Sequence, residues 1–135
     1  MAVLLDTDVA IELLRGNPRC LARLSRTEGR IFVSSVTAAE LYFGAFNSEH
    51  SVENADRVNE FLKDFQCLLP TKEVAKRFGE IKVELRRNSI QVAPLDLLIA
   101  TIAIENGCIV ATGNERHFRR VPGLWLENWI RGHLD

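Results

Sequence analysis

Cysteine is scarce in this chain and what there is lies scattered: Cys20, Cys67 and Cys108 are the only three in 135 residues. There is no CxxC pair and no Cys/His cluster, which removes structural zinc as an organising element. The three read as small buried hydrophobes in a reducing compartment, Cys67 and Cys108 because they open the apolar runs Cys67-Leu68-Leu69 and Cys108-Ile109-Val110. Long hydrophobic runs are missing too. The best candidate, Leu95 to Ile104, is too short for a bilayer and contains Asp96. The N-terminus is apolar but lacks a basic leader and carries Asp6, Asp8 and Glu12, which argues against a signal peptide. The expectation is a cytoplasmic protein with no membrane contact. Net charge is also lacking, at -1, so any nucleic-acid binding must come from a local patch. No repeat, low-complexity tract or linker interrupts the chain, and its length and 47% hydrophobic content suit one globular domain spanning 1–135.

What is present is organised around Val3-Leu4-Leu5-Asp6-Thr7-Asp8. Three apolar residues in a row read as a strand buried on both faces, as at the centre of a parallel sheet. Val9 to Arg15 then has helical spacing and stops at Gly16-Asn17-Pro18. Asp6 therefore sits where a central strand turns into a helix, the edge at which open parallel sheets bind ligands.

The same alternation continues. Asn17-Pro18 caps and opens a second helix that reaches about Glu28, before Gly29. Ile31-Phe32-Val33 is a second strand, and Ser34-Ser35 open a helix to Phe46. A further helix spans about Val52 to Phe65, followed by the strand Cys67-Leu68-Leu69. Thr71 caps a long charged helix to about Asn88, and Pro94 opens the most apolar helix, to Glu105. Cys108 to Thr112 is a fourth strand, Gly113 to His117 a polar loop, and Leu124-Trp125-Leu126 a last strand. Strands alternating with helices predict a three-layer α/β/α domain with a central, mostly parallel sheet.

In such a sheet the strand C-termini and the helix N-termini share one edge. Asp6, Glu40, Asp96, Asn114 and Glu115 all reach it by topology. Each acid has a plain structural role open to it. Asp6 or Asp8 can cap the first helix, Thr37-Ala38-Ala39-Glu40 fits a capping box, and Asp96 suits a first turn. Yet Asp96 precedes Leu97-Leu98-Ile99-Ala100-Thr101-Ile102-Ala103, apolar nearly all round, and Glu40 lies within Val36 to Phe43. Acids on buried elements need a compensating charge, and no basic residue is beside them in the sequence. Carboxylates gathered without cations take up protons unless a divalent ion joins them. Oxygen donors with no His or Cys cluster favour Mg²⁺ or Mn²⁺, ions that commonly meet phosphate substrates. Metal-assisted phosphodiester hydrolysis follows as the expected chemistry.

The stretches Leu4-Leu5-Asp6-Thr7-Asp8-Val9, Ser34-Ser35-Val36-Thr37-Ala38-Ala39-Glu40-Leu41 and Pro94-Leu95-Asp96-Leu97-Leu98-Ile99-Ala100 resemble the PIN-domain ribonucleases, in particular the VapC-like toxins of bacterial toxin–antitoxin pairs. The tail Thr112-Gly113-Asn114-Glu115-Arg116-His117-Phe118, then Val121-Pro122-Gly123-Leu124, fits as well. The resemblance implies a catalytic metal site of Asp6, Glu40 and Asp96, with Asp6 and Asp96 the most direct ligands. Thr7, Thr112 and Asn114 would support it, and Glu115 could supply a further acid. Asp8 stands where many relatives have Asn. His117 stands where relatives often carry a fourth acid, which bears on whether a second ion is held.

The resemblance further implies a structured RNA substrate, often transfer or ribosomal RNA, a cognate antitoxin that covers the site, and a homodimer. The residues offer Arg116, Arg119 and Arg120 as the basic patch for RNA. Arg15, Arg86 and Arg87 are further candidates. The aromatics Tyr42, Phe43, Phe46, Phe61 and Phe65 have mostly core-like spacing, and a surplus among them could offer a groove for a partner helix. Two other readings remain open. One is a catalytically weak PIN-like module that binds RNA or protein. The other is a haloacid-dehalogenase-like phosphatase, suggested by Asp6-Thr7-Asp8 after a buried strand.

Overall fold

The computed structural model describes residues 1–131, and the last four residues of the domain expected over 1–135 lie outside it. The elements are β1 (Ala2–Leu5), α1 (Thr7–Leu14), α2 (Pro18–Arg26), β2 (Ile31–Ser34), α3 (Ser35–Phe46) and α4 (Ser51–Leu62). After these come β3 (Gln66–Leu68), α5 (Lys72–Arg87), α6 (Pro94–Glu105), β4 (Cys108–Thr112), α7 (Glu115–Phe118) and β5 (Trp125–Asn128). The strands form one sheet in the order β3-β2-β1-β4-β5. All four pairings are parallel, so the sheet expected to be mostly parallel is wholly so.

The apolar runs of β1 and β4 are explained by their place at the centre. Successive side chains of a strand point to opposite faces, so a strand covered on both sides is apolar at every position. Leu4, Phe32 and Val110 face Val74, Ile81 and Leu85 of α5 and Leu97 and Ile99 of α6. Val3, Leu5, Val33 and Ala111 face the other way, onto Val9 and Leu13 of α1, Cys20 of α2 and Trp129. A third cluster, Ala10, Leu41, Ala45, Ala55 and Val58, joins α1, α3 and α4. Each fully buried leucine or isoleucine contributes about 2 kcal/mol through removal from water.

Caps set the helix starts. Asn17 accepts the N–H groups of Arg19 and Cys20, and Thr71 accepts that of Val74. Ser34 accepts the Thr37 N–H at 3.1 Å. Ser34 is therefore the cap of α3, and the expected Thr37/Glu40 capping box is replaced by a different use of both residues.

Several boundaries move from the sequence reading for local reasons. α1 begins at Thr7 rather than Val9 because Asp6 is its N-cap. α2 stops at Arg26, with Thr27 extended. α4 ends at Leu62, since Lys63 to Phe65 must turn into β3, while Phe65 still packs against Phe61 with ring centroids 5.0 Å apart. Strand β3 runs along the sheet margin, which leaves Cys67 exposed rather than buried; Cys20 and Cys108 are buried as expected. The polar loop after β4 winds into the short helix α7 because Phe118 is driven wholly into the core. Strand β5 is displaced to Trp125–Asn128, opposite Ile109 to Thr112. Among the described residues no helix is long and apolar enough to cross a membrane.

Candidate active site

Parallel pairing carries the first acid to the sheet's C-terminal edge beside β4. Leu5 pairs with Ala111, the Asp6 N–H donates to the Ala111 carbonyl at 2.9 Å, and the next residues on the two strands are Asp6 and Thr112. Asp6 is 4% exposed. Its Oδ1 accepts the Thr7 N–H at 2.8 Å, and its Oδ2 accepts the Thr112 hydroxyl at 2.8 Å. Thr112, itself fully buried, also accepts the Asn114 N–H at 2.9 Å, so its oxygen relays between the acid and the start of α7.

Asp8, in the first turn of α1, points at the same strand end. Its Oδ2 accepts the Gly113 N–H at 2.9 Å and its Oδ1 lies 3.5 Å from the Thr112 hydroxyl. Gly113 is required there: a Cβ at that position would lie 2.5 Å from the Ile130 Cδ1 and 3.1 Å from Asp8 Oδ2. Asp8 thus belongs to the acid group, a role its sequence position left undecided.

Burial and the neighbouring charges of Asp8 and Asp96 push the Asp6 carboxyl up to about 8, against the two hydrogen bonds that favour its ionised form. Burial likewise raises Asp8, against its bond from Gly113. The surroundings therefore favour a proton on this pair of acids over full ionisation.

Glu40 lies in the second turn of α3 and faces Thr7. The Thr7 hydroxyl donates to Glu40 Oε1 at 2.6 Å and stands 3.0 Å from the Thr37 hydroxyl. Because a carboxylate only accepts, Thr37 donates to Thr7 and Thr7 to Glu40. This relay ties α1 to α3. Thr37 was legible in the sequence only as a capping residue, and its burial and spacing carried no signal of this role.

Asp96 sits in the first turn of α6, with a quarter of its side chain exposed. The absence of a basic neighbour in sequence does not hold in space: His117 Nδ1 of α7 lies 3.7 Å from Asp96 Oδ2. Glu115 is turned away, its Oε2 accepting the Asn128 side-chain N–H at 3.3 Å. Asn114 precedes α7 and meets the group through its backbone N–H.

Among the described residues, no three His, Cys, Asp or Glu groups stand close enough to hold an ion between them. Mg²⁺ usually takes one or two carboxylates and keeps several waters, so paired acids with spare lone pairs suit a partly hydrated divalent ion. Burial and the neighbouring acids make ionising Asp6 costly, and a divalent ion beside it offsets that cost.

A cleft of about 750 Å³ opens beside the acids, lined by Thr7 and Glu40 together with Ile11, Val36, Phe43 and Leu95. Phe43, which lines it, is 71% exposed, and Phe46 at the end of the same helix is 65% exposed. Tyr42 and Phe46 stack on each other, whereas Phe61 and Phe65 join the core. Arg116, Arg119 and Arg120 are all exposed; the Arg120 guanidinium donates to the Gln91 carbonyl at 2.9 Å, and Arg15 pairs with Glu12.

A family model described as PIN domain matches residues 3–124. Among curated proteins, Ribonuclease VapC2 of Haemophilus influenzae is 36% identical, over 94% of this chain and 97% of its own. The tRNA(fMet)-specific endonuclease VapC of Shigella flexneri is 34% identical, over 93% and 96%. Among solved structures, VapBC from Salmonella typhimurium bound to DNA has a chain 32% identical with a TM-score of 0.90, covering 96% of this chain and 98% of that one. VapBC2 from Rickettsia felis, bound to a DNA fragment from its promoter, gives 27% identity and the same TM-score, over 96% and 99%.

Proposed function

The chain belongs to the PIN domain family, and on that premise we propose that it is a metal-dependent endoribonuclease, the toxin of a toxin–antitoxin pair. The observation that carries this reading is the overcharged edge: Asp6 buried beside Asp8, within reach of the Asp96 charge, and with its carboxyl pushed up to about 8. Asp6 caps α1, but a cap gains nothing from a second acid beside it, whereas a bound divalent ion offsets that cost.

In this reading Asp6 and Asp96 are the direct ligands of Mg²⁺ or Mn²⁺, and Glu40 is the third acid. When bound, the ion lowers the pKa of a water and offsets the charge that develops on the phosphate. Thr112 holds the Asp6 carboxylate and Thr7 holds that of Glu40, so that both keep their orientation as charge changes. Asn114 and Glu115 frame the strand end, Asn114 through Thr112 and Glu115 through Asn128. Arg116, Arg119 and Arg120 receive the RNA backbone. The substrate is a structured RNA. Transfer RNA is the first choice, because the Shigella relative is named a tRNA(fMet)-specific endonuclease.

The partner is a cognate antitoxin, in keeping with the Salmonella and Rickettsia relatives solved as VapBC. The apolar cleft with exposed Phe43 gives it a surface that leads to Glu40. The active unit is a homodimer, and a monodisperse monomer at high concentration would count against that part. The 1–135 chain acts as one domain.

Incubating transfer RNA with the purified, antitoxin-free chain and Mg²⁺ or Mn²⁺ tests the reading. Discrete fragments should form, need the ion, and fall by a hundredfold or so in Asp6→Asn and Asp96→Asn, the several kcal/mol of charge stabilisation such a site supplies. Cleavage that persists in both variants would overturn it.

A further inference from the structure

We propose that Asn128 is a positioning residue of the active site. It folds the segment after β5 into a clamp on residues 112–115 and so fixes the orientation in which Thr112 holds the Asp6 carboxylate. This rests on the reading of the acid edge as the catalytic site.

Asn128 is a buried polar residue at the last position of β5, in register with Thr112. A buried amide is costly unless its atoms find partners, and both ends of this one do. Its Oδ1 accepts the Ile130 N–H at 3.0 Å and the Arg131 N–H at 2.9 Å. Its Nδ2 donates to Glu115 Oε2 at 3.3 Å. The two backbone donors fix the amide's orientation, since only its oxygen can accept from them; the nitrogen must then face Glu115.

Three contacts run from this segment to the stretch after β4. The Trp129 N–H donates to the Thr112 carbonyl at 3.2 Å. Ile130 lies so close over Gly113 that a Cβ there would stand 3.0 Å from the Ile130 Cβ. Asn128 itself holds Glu115, the first residue of α7. Inside this bracket lie Thr112, whose hydroxyl donates to Asp6, and Asn114, whose N–H that hydroxyl accepts. A slip of the bracket re-aims the hydroxyl and with it the carboxylate.

The clamp is braced from its other side by α2. Arg19 donates to the carbonyls of Ile130 and Arg131, and the Cys20 thiol to that of Trp129 at 3.4 Å. Arg23 pairs with Glu127 at 3.1 Å and stands over the buried Trp129 ring. With the segment held in this way, Asn128 joins its turn to α7 through a single side chain, so the position of α7 depends on that amide.

Asn128→Asp tests the clamp. The carboxylate still accepts both N–H groups of the turn but meets Glu115 acceptor to acceptor. With transfer RNA and Mg²⁺, kcat should fall on the order of tenfold while KM stays within about twofold, the mark of lost orientation rather than lost binding. In the metal-free chain, hydrogen exchange at the Gly113 and Asn114 amides should quicken by a similar factor. Adding Glu115→Gln should restore both readings, because its side-chain N–H donates to the new carboxylate. Glu115→Gln alone should behave as the parent chain, since its amide oxygen accepts from Asn128; this separates the bond from any role of the Glu115 charge. Glu115→Ala alters an exposed side chain that folding does not need, and it should repeat the Asn128→Asp defect. Unchanged kcat and exchange in Asn128→Asp, or a defect that Glu115→Gln fails to rescue, would overturn the role of Asn128. Cleavage indifferent to Asp6→Asn and Asp96→Asn would instead overturn the reading of the acid edge, and the exchange pattern, which needs no turnover, decides the clamp separately.

Discussion

Asp6 carries opposed demands, and they have a measurable consequence. Its carboxyl titrates near 8 in the folded chain against 3.8 ordinarily. Between those values the folded chain holds a proton that the unfolded chain has released, so stability falls as pH rises across that window. In the presence of a chelator, the melting temperature should drop between pH 5 and pH 8. The drop should be smaller with millimolar Mn²⁺, which binds the ionised form. Asp6→Asn should flatten the pH dependence and raise the chelated chain's melting temperature at pH 8 by about 5 °C, while removing cleavage. The amide can replace both bonds: its oxygen accepts from the Thr7 N–H, and its N–H donates to Thr112. A pH-independent wild-type melt would refute the assignment of the raised carboxyl. At this scale the sequence was informative about identity and silent about partners. Asp6, Glu40 and Asp96 stood out because acids interrupt apolar segments. The Thr37–Thr7–Glu40 relay and the Asp8–Gly113 bond were invisible, because each joins residues 30 to 105 positions apart.

Among the elements, those with a strong apolar period were legible and those held by one anchor were not. β4 and α6 have the boundaries their runs imply, since a strand or helix buried all round has no other way to satisfy its side chains. α7 escaped notice because four polar and charged residues precede its single anchor, Phe118, and four residues are too few for a period. The β4–α7 junction is also where packing is least forgiving. Gly113→Ala places a methyl group against both Ile130 and the Asp8 carboxylate. Ile130 Cδ1 can rotate away, but Ile130 Cβ at 3.0 Å and Asp8 Oδ2 at 3.1 Å bound the space on two sides. The substitution should cost about 1–3 kcal/mol in chemical denaturation, in the range of overpacked sites. It should also weaken Mn²⁺ binding, because Asp8 loses its N–H partner beside Asp6. Gly44→Ala is the control, with nothing within 4 Å of the added carbon, and should leave both measurements unchanged or slightly improved. Equal behaviour of the two variants would remove the close-approach role of Gly113.

For the whole molecule, the alternation of strands and helices was enough to imply a layered α/β domain. It did not imply the order β3-β2-β1-β4-β5, because strand order depends on which side each crossover returns and several orders suit the same alternation. The placement of charge was legible only in part. A chain of net charge -1 has no general attraction for RNA, so binding must rest on a few cations around the acid edge. Arg116, Arg119 and Arg120 are exposed on and after α7, the element that also carries His117 to Asp96. If these three neutralise backbone phosphates, each contributes about 0.7 to the salt slope on a single-stranded segment, for a total near -2 in log kcat/KM against log salt. Arg116→Ala and Arg119→Ala should each flatten the slope by about that increment and raise KM several-fold with kcat held. Arg120→Ala should do the same and also loosen the 88–93 connection, because its guanidinium holds the Gln91 carbonyl. An unchanged slope in all three variants would move the RNA path off α7, to Arg86 and Arg87 in the last turn of α5. A wild-type slope much steeper than -2 would require cations beyond this patch, with Arg15, Arg86 and Arg87 the next to substitute.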